Sequence, residues 1–353
     1  MVNFILGLIV CLILIIAFML FRVQTIVSIV KGHPRVGFSN KVNAALMLIL
    51  PIAGVIAAGW YSGIAAKYYL PEAVSIHGKQ TDFLFWVAIY IIVAMFLVTN
   101  AALFYFAYKY QYKEGRKVTF FYDNAQLEMV WTAVPAIILT VLVLWGNKVW
   151  WNMMSIPEDQ KKQALQIEIM GKQFGWYTRY PGKDNKLGRY DFRLIDEVNE
   201  FGLDFEDKAS EDDFMPKELH IPVGKPVVLN VRARDVLHSV FAPHFRLKMD
   251  AVPGMRTQFF FIPTKTTAQM RAELGKPDFN YEIACTEVCG KGHFAMKYII
   301  VVEEEKEFKK WYAEQKPFLE NNPEYRGKGM KSLLKKNLAD SEKNKKQKEL
   351  AEL

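Results

Sequence analysis

Four long apolar runs without a single charge occupy the first part of the chain: Phe4–Phe21, Val42–Ala66, Phe83–Tyr108 and Met129–Asn147. Each is close to or beyond the ~20 residues that carry a helix across a bilayer, so they predict four transmembrane helices, about 4–21, 42–66, 83–108 and 129–147. After Trp151 the pattern shortens. Apolar, β-branched or alternating segments appear at Ala164–Met170, Glu218–Val231, Phe259–Ile262, Tyr281–Ala284 and Tyr298–Val302, separated by turn signals such as Val223-Gly224-Lys225-Pro226. Many short strands with Gly/Pro turns predict a sandwich or barrel. From Glu303 onward the chain is charged and helix-favouring, and its last stretch sustains no apolar face, which predicts a frayed helix or disorder. The pattern therefore divides the chain into a membrane part (1–150), a β-domain (151–305) and a charged tail (306–353), an α + β fold class.

Composition alone hides this division, because 51% hydrophobic and 23% charged residues over 353 positions suit a large soluble protein. A signal peptide is an alternative for the first run, but MVNFILG has no basic start. Cys11 has Val10 before it where lipoprotein processing needs a small residue, so it reads as a buried apolar thiol. Loop charge sets orientation. Arg22, Lys31, Arg35 and Lys41 follow the first run, and Lys109, Lys113, Arg116 and Lys117 follow the third, so both connections belong on the cytoplasmic side. The β-domain is then outside, and Trp145, Trp150 and Trp151 at the exit of the fourth helix match an interfacial aromatic belt. The net charge of +8 comes from membrane-flanking loops and a mixed-charge tail, a distribution unsuited to nucleic acid. Between Asp191 and Phe214 lies an acidic insertion (191–214), readable as a solvated loop or as a surface that steers a basic partner.

The chemistry concentrates at Tyr281–Val302, YEIACTEVCGKGHFAMKYIIVV, where Cys285, Cys289, His293 and Met296 lie on a loop between two strands. Only three cysteines exist in the chain, and two of them stand here. Thiols, imidazole and thioether are soft ligands that select copper over hard cations. His238, in Asp235-Val236-Leu237-His238-Ser239 after the strand-like Val227–Val231, is the candidate donor from elsewhere. Zinc on a Cys2His2 set and a Cys285–Cys289 disulfide compete, but zinc leaves Met296 without a purpose and a disulfide leaves both His293 and Met296 unexplained. His220 is expected to face solvent and His244 to sit in a loop.

The pattern Cys-x-Glu-x-Cys-x-x-x-His-x-x-Met, formed by Cys285, Glu287, Cys289, His293 and Met296, resembles subunit II of the haem–copper cytochrome c oxidases. DVLHS around His238, KMDAVPGM from Lys248 to Met255 and LEMVWTAVPAIIL from Leu127 to Leu139 carry the resemblance further. It implies a cupredoxin-like Greek-key β-barrel holding two copper ions, the CuA centre, bridged by Cys285 and Cys289. His238, His293, Met296 and the carbonyl of Glu287 would complete it, and the Glu287 carboxylate would reach a magnesium or manganese ion shared with subunit I. The resemblance also implies that electrons from cytochrome c, or from a cytochrome c domain of another respiratory complex, pass to subunit I, where oxygen reduction drives proton pumping. The other oxidase subunits and membrane lipids are further expected partners, and the bacterial inner membrane, with the CuA domain periplasmic, the expected location. Glu128 corresponds to a carboxylate at the mouth of a proton path. Phe174 stands where the family has an aromatic through which electrons enter, with Trp176 two residues on. Family members usually have two membrane helices in this subunit, so two of the four here are extra. No C-x-x-C-H haem-attachment motif is present, and no histidine falls inside the four apolar runs, so haems belong to other chains. A quinol oxidase subunit without copper and a membrane-tethered copper-delivery or zinc module are the rival readings; the intact donor set opposes the first, and Glu128 with the long membrane part opposes the second.

Overall fold

A computed structural model describes residues 2–31, 38–113 and 115–339 of the chain. Arg35 and the end of the charged tail from 340 lie outside the described residues. The apolar runs form four helices: α1 (Val2–Val30), α2 (Phe38–Ala65), α3 (Ile76–Lys109) and α4 (Ala125–Met154). All four are long and apolar enough to cross a membrane. Their large apolar side chains, Leu14, Ile56, Val98 and Ile137 among them, face outward, which is tolerable only against lipid or partner helices. Cys11 is exposed on α1 instead of buried as expected, because the whole circumference of that helix is apolar and no face is reserved for a core. Pro51 and Pro135 lie inside α2 and α4, as membrane helices permit. Asn124 caps α4, its Oδ1 accepting from the Leu127 N–H at 3.0 Å.

Two compact units divide the chain. One is the chain up to Tyr69 with Ala88–Ala133; the other is Leu70–Val87 with the chain from Val134 onward. In the second unit, α4 leads through α5 (Glu158–Gln163) into a two-sheet β-domain. Its strands are β1 (Leu165–Lys172), β2 (Gly175–Arg179), β3 (Leu219–Pro222), β4 (Val227–Ala233), β5 (His238–Ala242), β6 (Leu247–Ala251), β7 (Thr257–Phe261), β8 (Tyr281–Cys285) and β9 (Lys297–Glu303). One sheet has the order β2-β1-β4-β7 and the other β3-β9-β8-β5-β6. Together they make the expected cupredoxin-like domain. Ile167, Leu229, Val231, Val240, Phe259, Ile283 and Ile300 fill the space between the sheets. Alternation on β6 and β8 sets their register, because a one-residue slip turns the buried set outward. Strand β4 is buried along its whole length, covered on its second face as well.

That second cover corrects the solvated-loop reading of residues 191–214. Phe201, Leu203 and Phe205 pack with Met170 of β1 and with Phe318 and Leu319 into a second apolar cluster. Beneath it Glu168 pairs with Arg179 at 2.6 Å and Arg232 at 2.8 Å, and Arg179 pairs with Asp213 at 2.7 Å, all nearly or fully buried. Arg232 also lies over the Tyr190 ring at 3.9 Å. Burial opposes the charge on Glu168, but the neighbouring Arg179, Arg232 and Arg256 hold its carboxyl below the usual range. The insertion turns its apolar residues inward together with Asp204 and Asp213, while Asp196, Glu197 and Glu211 stay at the surface.

Up to residue 339 the tail takes the helical of its two expected forms. After α6 (Thr267–Leu274), the chain beyond β9 forms α7 (Glu305–Ala313) and α8 (Phe318–Asn321), then a helical turn series from 330 to 339. Trp311 of α7 stacks on His220 at 4.1 Å, and Glu303 approaches the same ring at 3.1 Å, so His220 does not face solvent as expected. Glu206 accepts the N–H groups of Lys331 and Ser332 at 2.9 and 2.8 Å, capping the last helix with an acid from the insertion.

The segment before α3 is woven into the β-domain. The Val74 N–H donates to the His244 carbonyl at 2.7 Å, and Arg246 grips Asp82 with two bonds of 2.6 and 2.8 Å. Helix α3 accordingly starts ahead of its apolar run and takes in His77, which packs edge-on against Phe259 at 5.2 Å.

Candidate metal centre

Strands β5 and β8 are antiparallel neighbours with Val240 opposite Cys285. His238, two residues from Val240, therefore points to the same face as Cys285, one diagonal step away. Beyond Cys285 the chain leaves β8, runs irregularly through Glu287 and Cys289, and makes one 3-10 turn, His293–Ala295, before β9. The turn brings His293 and Met296 back under Cys289. In this way a strand start and a strand-to-strand loop present their donors to one point.

His238, Cys285 and Cys289 offer ligand atoms all within 4.8 Å of one another. His238 Nδ1 lies 3.9 Å from Cys285 Sγ, and the two sulfurs are 4.0 Å apart. Cys289 Sγ lies 3.5 Å from His293 Nδ1 and 3.3 Å from Met296 Sδ, and Cys285 Sγ lies 3.2 Å from the Glu287 carbonyl. His293 is outside the mutual group but adjoins its Cys289 end. The sulfurs stand at twice the ~2.05 Å of a disulfide, so the pair is two free thiols. Metal–thiolate bonds of ~2.3 Å let two sulfurs share an ion at any separation below about 4.6 Å, a condition the pair meets. Six donors converge here. One tetrahedral zinc takes four and prefers nitrogen and thiolate over a thioether, so the set fits soft copper better.

The environment prepares the donors. Cys285, Cys289, His238 and Met296 are buried. Burial, with the Cys285 thiol alongside, pushes the Cys289 thiol up to about 11. A metal arriving here must displace that proton. Behind His238, Asp235 Oδ1 meets ring Nε2 at 2.9 Å, leaving Nδ1 to face Cys285. Partial burial opposes ionisation of Asp235, but the N–H groups of Gln173 and Val236 and the His238 ring hold its carboxyl below the usual range. Gly171 leaves room for the ring: a Cβ there would lie 2.8 Å from His238 Cδ2.

The remaining candidates separate. Phe174 sits at the tip of the β1–β2 hairpin, 45% exposed, against Gly290 and Gly292 of the ligand loop. Trp176 is buried and edge-on to the His238 ring at 5.9 Å. Glu128 stands in the exposed first turn of α4, away from the donor set in sequence and in the other compact unit. Asp235 and Gln173 escaped the sequence reading. Asp235 was within sight, three residues before His238, but Gln173 meets the loop across 116 positions and carries no local signal.

Residues 165–304 match the family model for the periplasmic domain of cytochrome c oxidase subunit II, and residues 63–149 match that for its transmembrane domain. Helix α1 and most of α2 precede the matched region. The chain is 31% identical to the alternative cytochrome c oxidase subunit 2 of Bradyrhizobium diazoefficiens, over 78% of this chain and 92% of that protein. It is 29% identical to cytochrome c oxidase subunit 2 of Thermostichus vulcanus, over 69% of this chain and 77% of the other. Among solved structures, the periplasmic domain of subunit II of a Bradyrhizobium japonicum cytochrome oxidase is 26% identical, with a TM-score of 0.28, covering 42% of this chain and 91% of that one.

Proposed function

Since the chain belongs to the cytochrome c oxidase subunit II family, we propose that Cys285 and Cys289 jointly hold two copper ions, with His238, His293, Met296 and the Glu287 carbonyl completing the set. The chain is a membrane-anchored subunit of an oxidoreductase complex, and its family relays electrons through CuA. Convergence of His238 from β5 with two thiols from the β8–β9 loop carries this reading. The copper pair supplies single-electron exchange. The protein supplies donors fixed before the metal arrives, a dry surround and an oriented imidazole, so that little has to move when charge changes.

Cytochrome c is the electron donor, and subunit I with its haem and copper the acceptor. Of the aromatic residues, Phe174 meets solvent and lies against the ligand loop while Trp176 is buried edge-on to His238, which supports electron entry at the hairpin tip. The Glu287 carboxylate suits a hard magnesium or manganese ion at the boundary with subunit I. Glu128, at the amino end of α4, marks the mouth of a proton path into that subunit. The basic loops after α1 and α3 support a β-domain on the outer side of the bacterial inner membrane, with lipids around the four helices. Within this frame the membrane helices form one domain and the β-domain, with the tail up to 339 packed on it, another.

Cys289→Ser in the assembled oxidase tests the relay. Oxidation of reduced cytochrome c should stop and copper content should drop, while the haem spectrum of the complex persists. Undiminished oxidation of cytochrome c by that variant would overturn the role.

A further inference from the structure

We propose that Gln173 is a positioning residue of the thiolate loop, holding the backbone at Cys289 through its side-chain amide and the carboxylate behind His238 through its backbone N–H. The inference rests on the copper reading only for its metal readout. Gln173 occupies the turn of the β1–β2 hairpin, and its Nε2 donates to the Cys289 carbonyl at 2.5 Å. Its backbone N–H donates to Asp235 Oδ2 at 2.8 Å, and the other oxygen of that carboxylate meets His238. One residue thus reaches both halves of a donor set that comes from strands far apart in sequence.

The loop needs such a restraint. Between Cys285 and the turn at His293 it has no regular structure, and Gly290, next to Cys289, adopts a φ of 126° that only glycine takes readily. A glycine beside a ligand allows the Cys289 peptide to swing, and the Gln173 amide is what grips that peptide's carbonyl. Packing reinforces the grip. A Cβ on Gly292 would come within 2.5 Å of Phe174 Cγ and one on Gly290 within 3.1 Å of Phe174 Cε1, so the hairpin tip lies directly on bare backbone. Gly171, at the same end of the hairpin, lies equally close to the His238 ring. Hairpin tip, histidine and thiolate loop therefore form one packed unit, with Gln173 as its hydrogen-bonding member.

Two variants of the full-length purified chain separate positioning from filling space. Gln173→Glu keeps the length of the side chain but sets an acceptor against the Cys289 carbonyl, and Gln173→Ala removes both; each keeps the backbone N–H to Asp235. In metal-free protein, alkylation of Cys289, mapped by mass spectrometry with Cys285 as reference, should quicken about fivefold in both variants, the value of one ordinary hydrogen bond. In copper-loaded protein, a chelator should strip the metal at about tenfold lower concentration, as for other partners behind metal ligands, with a changed visible spectrum. Wild-type alkylation and copper retention in both variants would overturn the proposal, as would a Glu variant that behaves like wild type while Ala does not. If wild-type protein itself took up no copper, the preceding reading would fall, and the alkylation rates would still decide this one.

Discussion

Replacing Arg179 by Met should be among the most damaging single changes in the β-domain. Its guanidinium is wholly buried and serves Glu168 at 2.6 Å, Asp213 at 2.7 Å and the Gly188 carbonyl at 2.9 Å. Methionine fills much of the space and removes the charge. Glu168 would keep Arg232, but Asp213 would keep only the Gly188 N–H, which donates at 3.1 Å. Stranding one partner of a buried pair costs about 3–5 kcal/mol. At roughly 2–4 °C per kcal/mol for a domain of this size, the melting temperature should fall by about 6–20 °C. Burial already pushes Asp213 up to about 7 against the pull of Arg179. Without Arg179 the carboxyl moves higher still. The wild type already holds this proton up to about 7, so the variant's extra deficit from this carboxyl opens as pH rises above about 7. Thermal unfolding of the detergent-solubilised chain at several pH values reads both effects, and Arg179→Met/Asp213→Asn should recover part of the loss. Lys248→Met is the control, since Lys248 and Asp250 are both more than half exposed at 57% and 53%, and it should cost less than about 1 kcal/mol. An Arg179→Met melt within ~2 °C of wild type, or one not improved by Asp213→Asn, would refute the view that this network pins the insertion to the sheet.

Other consequences are as direct. Gly171→Ala should push the His238 ring off its seat, costing about 1–3 kcal/mol and lowering copper retention, as calorimetry and metal analysis of the same preparation would show. Glu168 has a depressed pKa in the folded chain, so its contribution to stability is present above about 4.5, its ordinary value, and is lost as pH falls below that; Glu168→Gln should flatten an acid unfolding curve over that window. Because burial holds the Cys289 thiol protonated up to about 11, copper uptake near neutrality should acidify a weakly buffered solution, and uptake without proton release would contradict the free-thiol state.

Much of this architecture was legible in the chain because its signals are local. Uninterrupted apolar runs announced the four helices, and Cys285, Cys289, His293 and Met296 announced themselves by spacing within one loop. His238 was accessible by its position after a strand-like run. What the sequence concealed depends on contacts between distant segments. The acids of residues 191–214 all look solvated until Arg179 is seen against Asp213, and nothing near His220 foretells the Trp311 ring laid over it. Gln173 is an unremarked polar residue in a turn until the fold carries it to Cys289. The mixed charges of Lys67, Glu72, Lys79 and Asp82 suit an outer loop from Lys67 to Asp82, yet Val74 and Ser75 are buried because that stretch supplies β-domain contacts.

Metal content and the paramagnetic resonance of the oxidised, purified protein decide whether Cys285 and Cys289 share a copper pair. Two coppers per chain are expected, sharing one unpaired electron whose hyperfine coupling spreads over both nuclei. One zinc, no metal, or a single copper holding the whole electron would contradict it.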